Sequence, residues 1–475
     1  MSIRIKRKRD YEDSVKVETI VKLKNKFNKN KINKLIQNSL CSNSLNHVSE
    51  VREYMQSRDN EFSHTLDPEL EISNQGLSGR CWLFAVLNVM RHELVRKFNL
   101  THEFELSESY LCFYEKIEKC NYFLTEFMEK NSIDFSDSHT RALLYGGCDD
   151  GGMWATCANL IKKYGIIPKT CYRESVNSYS TETMNNIINY KLREFALELT
   201  SEKNKKKCIE MKNRMMGQIY DILCKMLGTP PNPTEKFTWS FSMYINLSNQ
   251  LEREQKRKRL GGKYENVQMK NTYEITPLEF YNQFVINNLD NYVKFGNDLR
   301  NEYNKYYQSY NRDVIIEGER SGYYNININL LSDICINSII DNTPVEFDCD
   351  VIKYLNPDEE LMDNKCYDYN LVFGENFDKL TKEQMMKCLD SYPNHAMVLI
   401  GVDLDINRNP IKWKVENSWG RDDNTTGYYT MSHEWFKKFV YNVVIQRKYV
   451  DNELLKCYDK ALQTPITLPE FDIMG

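Results

Sequence analysis

The sequence lacks several features that would direct the reading elsewhere. No stretch approaches the roughly 18 apolar residues needed to span a bilayer. The basic start Met1-Ser-Ile-Arg-Ile-Lys-Arg-Lys-Arg9 is followed by no apolar segment, so no export signal is read. The expectation is a chain that stays in the cytoplasm, where it is made. The 14 cysteines stand singly, without a CxxC pair or zinc-ligand spacing. With no export signal, most are expected to be reduced, small buried hydrophobes. No HExxH is present, which argues against a metalloenzyme, and no cofactor or metal is expected. Internal repeats are absent. A net charge of −4 makes no overall case for nucleic acid or membrane.

What is present is an ordinary globular composition, with 41% apolar and 12% aromatic residues over 475 positions. That suffices for two or three domains, or one fold with large insertions. Charge is uneven. Residues 1–40 hold 12 Lys/Arg against 4 Asp/Glu. A weak helical period (Val21, Leu23, Phe27, Ile32, Leu35, Ile36) predicts a basic tail running into a helix over 1–45. Arg4–Arg9 resembles a nuclear-import or polyanion-binding patch, and a solvated tail is the plainer reading. A second basic cluster, Arg253–Lys263, contains Gly261 and Gly262 and reads as a solvated loop. Together the two segments raise weak nucleic-acid binding as a rival function, marked by steep loss of binding with salt.

Residues 74–80 carry turn chemistry, and Trp82, Ala85, Val86, Val89, Met90 and Leu94 then recur at helical spacing. This places Cys81 at the start of a helix. Residues 180–230 read as helical and stop at Gly228-Thr-Pro-Pro231. Beyond residue 340 the pattern changes. Ala396–Gly401, Lys412–Asn417 and Gly427–Met431 read as strands.

A thiol is a weak nucleophile until it loses its proton. Lowering a cysteine pKa from about 8.5 to about 4 takes roughly 6 kcal/mol. A helix N-terminus supplies at most about 2 kcal/mol, so a cation must provide most of the rest. Of seven histidines, His395 directly precedes a buried-strand pattern, which would hold an imidazole at a sheet edge. Asn417, in Val415-Glu-Asn-Ser-Trp-Gly420, offers an amide oxygen to orient that ring, with Trp419 as a shield. Gln75 stands six residues before Cys81. Its side-chain N–H is a candidate oxyanion donor beside the Cys81 backbone N–H.

These residues carry a family resemblance. Gln75-Gly-Leu-Ser-Gly-Arg-Cys-Trp82, Asn394-His-Ala396 and Asn417-Ser-Trp-Gly420 resemble the nucleophile, histidine and asparagine motifs of papain-like cysteine peptidases. Two departures stand out. Ser78 occupies the position of a cysteine that is disulfide-bonded in secreted members, which suits a reducing compartment. The Cys81-to-His395 separation is 314 residues, against roughly 130–150 in the common signature. Both departures resemble the bleomycin hydrolase and aminopeptidase C branch. So do Phe104–Leu111, Asp150–Trp154, Lys163–Lys169, Phe237–Trp239, Ile275–Tyr281 and Leu371–Gly374.

The resemblance implies an α+β fold of two papain-like lobes, one helical and one an antiparallel, barrel-like sheet, with a large helical insertion. The expected division is 1–45 basic tail and helix, 46–178 helical lobe, 179–340 insertion, 341–462 β-rich lobe and 463–475 C-terminal arm. It implies Cys81 as nucleophile, His395 as base and acid, Asn417 as orienter and Gln75 as oxyanion donor. Gly151, Gly152, Asn394 and Gly475 would bind substrate, with Trp82 and Trp419 in support. It implies a homohexamer acting on peptides or unfolded chains, with the arm in the cleft and its terminal carboxylate holding the substrate amine. The arm ends at Gly475, shorter than the resemblance implies. The expectation drawn from this is that extra subsites open, so that longer fragments or internal bonds are cut.

Overall fold

The computed structural model describes residues 14–130, 132–245, 267–285, 289–309 and 314–474. The patches at Arg4–Arg9 and Arg253–Lys263 and the terminal Gly475 lie outside the described residues. The chain divides into two compact units, one from Met1–Arg58 with Lys365–Lys379 and one from Asp59–Asn364 with Leu380–Gly475.

In the first unit the weak period resolves into two helices, Val17–Lys29 and Lys31–Ser42, neither of which buries a residue. The break falls at Asn30, whose side chain accepts the Ile32 N–H at 2.9 Å and so caps the second helix. A short pairing of Glu50 with Tyr367 closes the unit.

The second unit combines helices with a large mixed sheet. Helix Cys81–Phe98 is buried from Trp82 through Val95. A helix buried on all sides belongs inside a core, and this one packs on the strand His395–Leu404. Its polar side chains find partners in neighbouring elements. Asn88 donates to Ser73 Oγ at 3.0 Å, and His92 Nε2 meets Glu416 Oε2 at 2.6 Å. Helices Glu182–Ser201 and Lys205–Leu227 pack on Glu108–Met128. The second of them stops at Gly228, whose φ of 87° suits glycine.

The strand segments read from sequence lie side by side. The sheet runs Tyr292–Gly296, Val440–Gln446, Val345–Cys349, His395–Leu404, Pro410–Glu416, Tyr428–Ser432 through its antiparallel centre. Parallel pairs join it toward both ends, at Leu361–Met362 and at Ile466–Thr467. His395 therefore opens a central strand, not one at a sheet edge. The insertion also carries strands. Phe237–Ile245 and Val267–Ile275 pair as a separate antiparallel ribbon.

Candidate active site

Cys81 is the first residue of its helix, and no side chain caps that end. The free N–H groups there favour negative charge. The preceding loop is fixed by short bonds. Ser78 Oγ donates to the Gln75 carbonyl at 2.6 Å and accepts Arg80 Nε at 2.9 Å. Arg80, 2% exposed, also pairs with Glu174 at 3.0 Å. Gly76 has a φ of 62°, and a Cβ there would stand 2.5 Å from the Tyr179 carbonyl, so only glycine fits.

His395 Nε2 meets Asn417 Oδ1 at 2.9 Å. The same oxygen accepts the Ser418 N–H at 2.8 Å, which fixes the amide with its oxygen toward the ring. Nε2 therefore carries the proton, and Nδ1 is left as the basic nitrogen. The Trp419 ring lies 5.0 Å from the imidazole, and Asn417 is 1% exposed.

The loops holding Gln75 and Asn417 are zipped together. Asn74 pairs with Trp419, and the Gln75 N–H donates to the Ser418 carbonyl at 2.8 Å. Ser418 Oγ donates to Gln75 Oε1 at 2.7 Å, while Gln75 Nε2 donates to the Ser78 carbonyl at 2.5 Å. One amide proton of Gln75 remains.

Cys81 and His395 line one cleft, together with Trp82, Gly151, Gly152 and Met474. Burial pushes the Cys81 thiol up to about 11; the N–H groups of Ala396 and Trp82 pull it the other way. Burial pulls His395 down to about 4, against its bond to Asn417 and the nearby Asp348. The expected depressed thiol is thus opposed by desolvation, which the helix tip does not offset. At neutral pH the pair keeps a single proton between sulfur and ring.

Gly151 has both main-chain groups engaged, its N–H by the Gly79 carbonyl at 3.1 Å and its carbonyl by Lys119 Nζ at 2.8 Å. Gly152 lies over Trp82, where a Cβ would come within 2.6 Å of the ring. The Asn394 side chain is occupied at both ends, by the Val351 N–H at 3.0 Å and by Asp350 Oδ1 at 2.6 Å. From the C-terminal segment Glu470, Phe471, Ile473 and Met474 reach the same cleft. The Leu468 N–H bonds the Gln308 carbonyl at 2.8 Å, Asp472 bonds Arg300 at 2.8 Å, and Met474 is buried.

Asp150, read only as part of its motif, links two segments of the site. Its carboxylate accepts the Gly79 N–H at 2.8 Å and bonds the buried Lys116 at 2.8 Å, tying the nucleophile loop to the glycine strip. Burial opposes this charge, but Lys116 and the hydrogen bonds hold the carboxyl well below its usual range. Only the long separation of these partners hid the link.

The chain matches the Peptidase C1-like family over residues 14–475. It belongs to that family, and it is a cysteine peptidase of that family. Mouse bleomycin hydrolase is 35% identical over 437 residues, covering 89% of this chain and 90% of that protein. Aminopeptidase C of Lactobacillus delbrueckii subsp. lactis is 32% identical over 410 residues, covering 85% of each. The crystal structure of PepW from Lactobacillus rhamnosis HN001 superposes with a TM-score of 0.87 at 29% identity, covering 98% of this chain and 99% of that one. As a Peptidase C1-like chain, the protein needs a sulfur nucleophile beside an imidazole. Cys81 is the cysteine that lines the cleft, among the described residues, and of its two histidines His395 bonds Asn417 whereas His139 pairs with Glu126 and Glu470. No described helix is long and apolar enough to cross a membrane.

Proposed function

We propose that this chain is a cysteine aminopeptidase of bleomycin hydrolase type, releasing N-terminal residues from peptides. The observation that carries the reading is the convergence of Cys81, His395 and Met474 on one cleft. In the reaction, the Cys81 thiol proton passes to His395 Nδ1 as the sulfur bonds to the scissile carbonyl carbon. Moving a proton within the pair brings no net charge into the buried site, which suits a thiol and a ring that burial keeps neutral. The carbonyl oxygen becomes an oxyanion held by the Cys81 N–H and the remaining Gln75 amide proton. Nδ1 then returns its proton to the leaving amine, and the carbon–nitrogen bond breaks to leave a thioester. Water gives a proton to Nδ1 and its oxygen to the thioester carbon, and the sulfur leaves with that proton.

Substrate main chain pairs with Gly152, since Gly151 is already bonded, and with the free main-chain carbonyl of Asn394. The reading places Cys81 on a helical lobe over 46–178 and His395 and Asn417 on a β-rich lobe over 341–462. The segment 179–340 is inserted between them, and 463–475 forms an arm that closes the cleft to one side. Resemblance to the branch supports a homohexamer in the cytoplasm.

Mass analysis of products from a free and an N-acetylated decapeptide tests the reading. Single residues lost from the free peptide alone are expected. Internal cleavage of the acetylated peptide would replace it with an endopeptidase.

A further inference from the structure

The strand Val345–Cys349 is unusual for the middle of a sheet. Val345, Phe347 and Cys349 are fully buried and face the core, as period-2 alternation requires. The alternate positions, Glu346 and Asp348, are carboxylates, and Glu346 is 1% exposed. Flanking strands fix their surroundings. Asp348 pairs with Ala396, next to His395, on one side and with Asn442 on the other. Lys294 comes from the following strand and bonds Asp348 Oδ2 at 2.8 Å.

Burying an ion costs several kcal/mol, and well-packed apolar residues would serve the fold as well or better. The balance of charge is also incomplete. Among the described residues Lys294 is the cation that bonds this pair of carboxylates. Burial, with Asp348 beside it, holds the Glu346 carboxyl well above its usual range, as expected of an acid short of counter-charge.

The hydrogen bonding points the same way. Asn442 donates from Nδ2 to Asp348 Oδ2 at 3.1 Å, which turns Oδ1 elsewhere. Asn442 is 1% exposed, and its Oδ1 has no partner; neither has Glu346 Oε2. Asn442 Oδ1 can only accept, so the group missing there is a donor. Lys294, Asp348 and Asn442 line the cleft that holds Cys81 and His395.

We propose that Asp348 and Asn442 form a subsite that takes the ammonium group of a lysine side chain of the bound peptide. The inference rests on the peptidase reading and names its substrate class. The lysine stands near the scissile bond. Its ammonium adds the missing donor to Asn442 Oδ1 and a second cation beside Asp348. Lys294 holds Asp348 in place and competes with the ligand for it.

The test compares kcat/KM for two matched peptides with free N-termini, one with lysine near the scissile bond and one with norleucine there. Wild type should favour the lysine peptide at least tenfold. Asp348→Asn should erase most of that ratio, whereas Lys294→Met should keep or raise it. Opposite responses exclude a merely structural role, because both substitutions break the same ion pair. Asn442→Leu, which removes the unpartnered acceptor, should also lower the ratio and serves should Asp348→Asn not fold. Equal falls in both ion-pair variants, or an unchanged ratio in Asp348→Asn, overturn the subsite. Wild-type hydrolysis of both peptides without a lysine preference overturns the subsite alone. No hydrolysis of any peptide overturns the peptidase reading with it.

Discussion

The hydroxyl of Ser418 holds the side-chain oxygen of Gln75 at 2.7 Å across 343 residues of sequence. That bond settles which end of the amide is oxygen and aims its N–H groups at the nucleophile loop. A side chain so fixed meets developing charge without reorganising.

Removing the donor should therefore act on the chemical step. Gln75→Ala is expected to lower kcat by about 10²–10³ with little change in KM. Ser418→Ala removes one of the two bonds that hold the amide, leaving Nε2 on the Ser78 carbonyl, and should cost about tenfold, the effect of roughly 1.4 kcal/mol. Steady-state kinetics on one peptide reads both. A rise in KM with kcat unchanged would place Gln75 in ground-state binding instead.

Cys81→Ala should abolish turnover while leaving the fold intact. The side chain is half-buried at a helix end and alanine removes a single sulfur atom from it, so the melting temperature should move by no more than a few degrees. Residual hydrolysis at the wild-type rate would identify another nucleophile.

Burial of the pair also sets a pH signature. His395 titrates at about 4 in the folded chain against 6.5 ordinarily. Between those values the unfolded chain binds a proton that the folded chain refuses. The contribution is thus complete above about 6.5 and is lost as pH falls toward 4, by up to about 3 kcal/mol. Cys81 is the mirror case. Its thiol titrates at about 11 against 9.0, so stability is lost as pH rises between those values. Melting curves of His395→Gln should lose less stability than wild type between pH 6.5 and 4. Cys81→Ser should flatten the alkaline side. Parallel curves for variant and wild type would contradict the burial argument.

The arm offers a separate handle. Arg300 bonds both oxygens of Asp298 and one oxygen of Asp472, and the Met474 N–H shares that Asp472 oxygen at 2.9 Å. Asp472→Asn weakens a charge-assisted bond worth about 2 kcal/mol while leaving Arg300 paired. Hydrolysis of an N-acetylated peptide should rise severalfold relative to its free counterpart. An unchanged ratio would show that the arm does not control access.

Much of the site was legible because its signals are local. Turn residues before a helical period put Cys81 at a helix start, and an apolar run after a histidine put His395 on a strand. Periodicities of 3.6 and 2 follow from backbone geometry and need no distant partner. The same reading missed that His395 opens a central strand, since strand order is a long-range property. It also passed over Asp150 and Asp348, each of which looks like a surface carboxylate until its partners are known.

By itself the sequence determined which groups the site contains: a thiol at a helix tip, an imidazole before a strand, an amide in a turn. Only the tertiary structure decided how those groups behave. Desolvation and Coulomb interaction act through space, so the chain could not reveal that burial keeps Cys81 and His395 neutral. Nor could it reveal that Lys294, Asp348 and Asn442, drawn from three separate strands, meet in the same cleft.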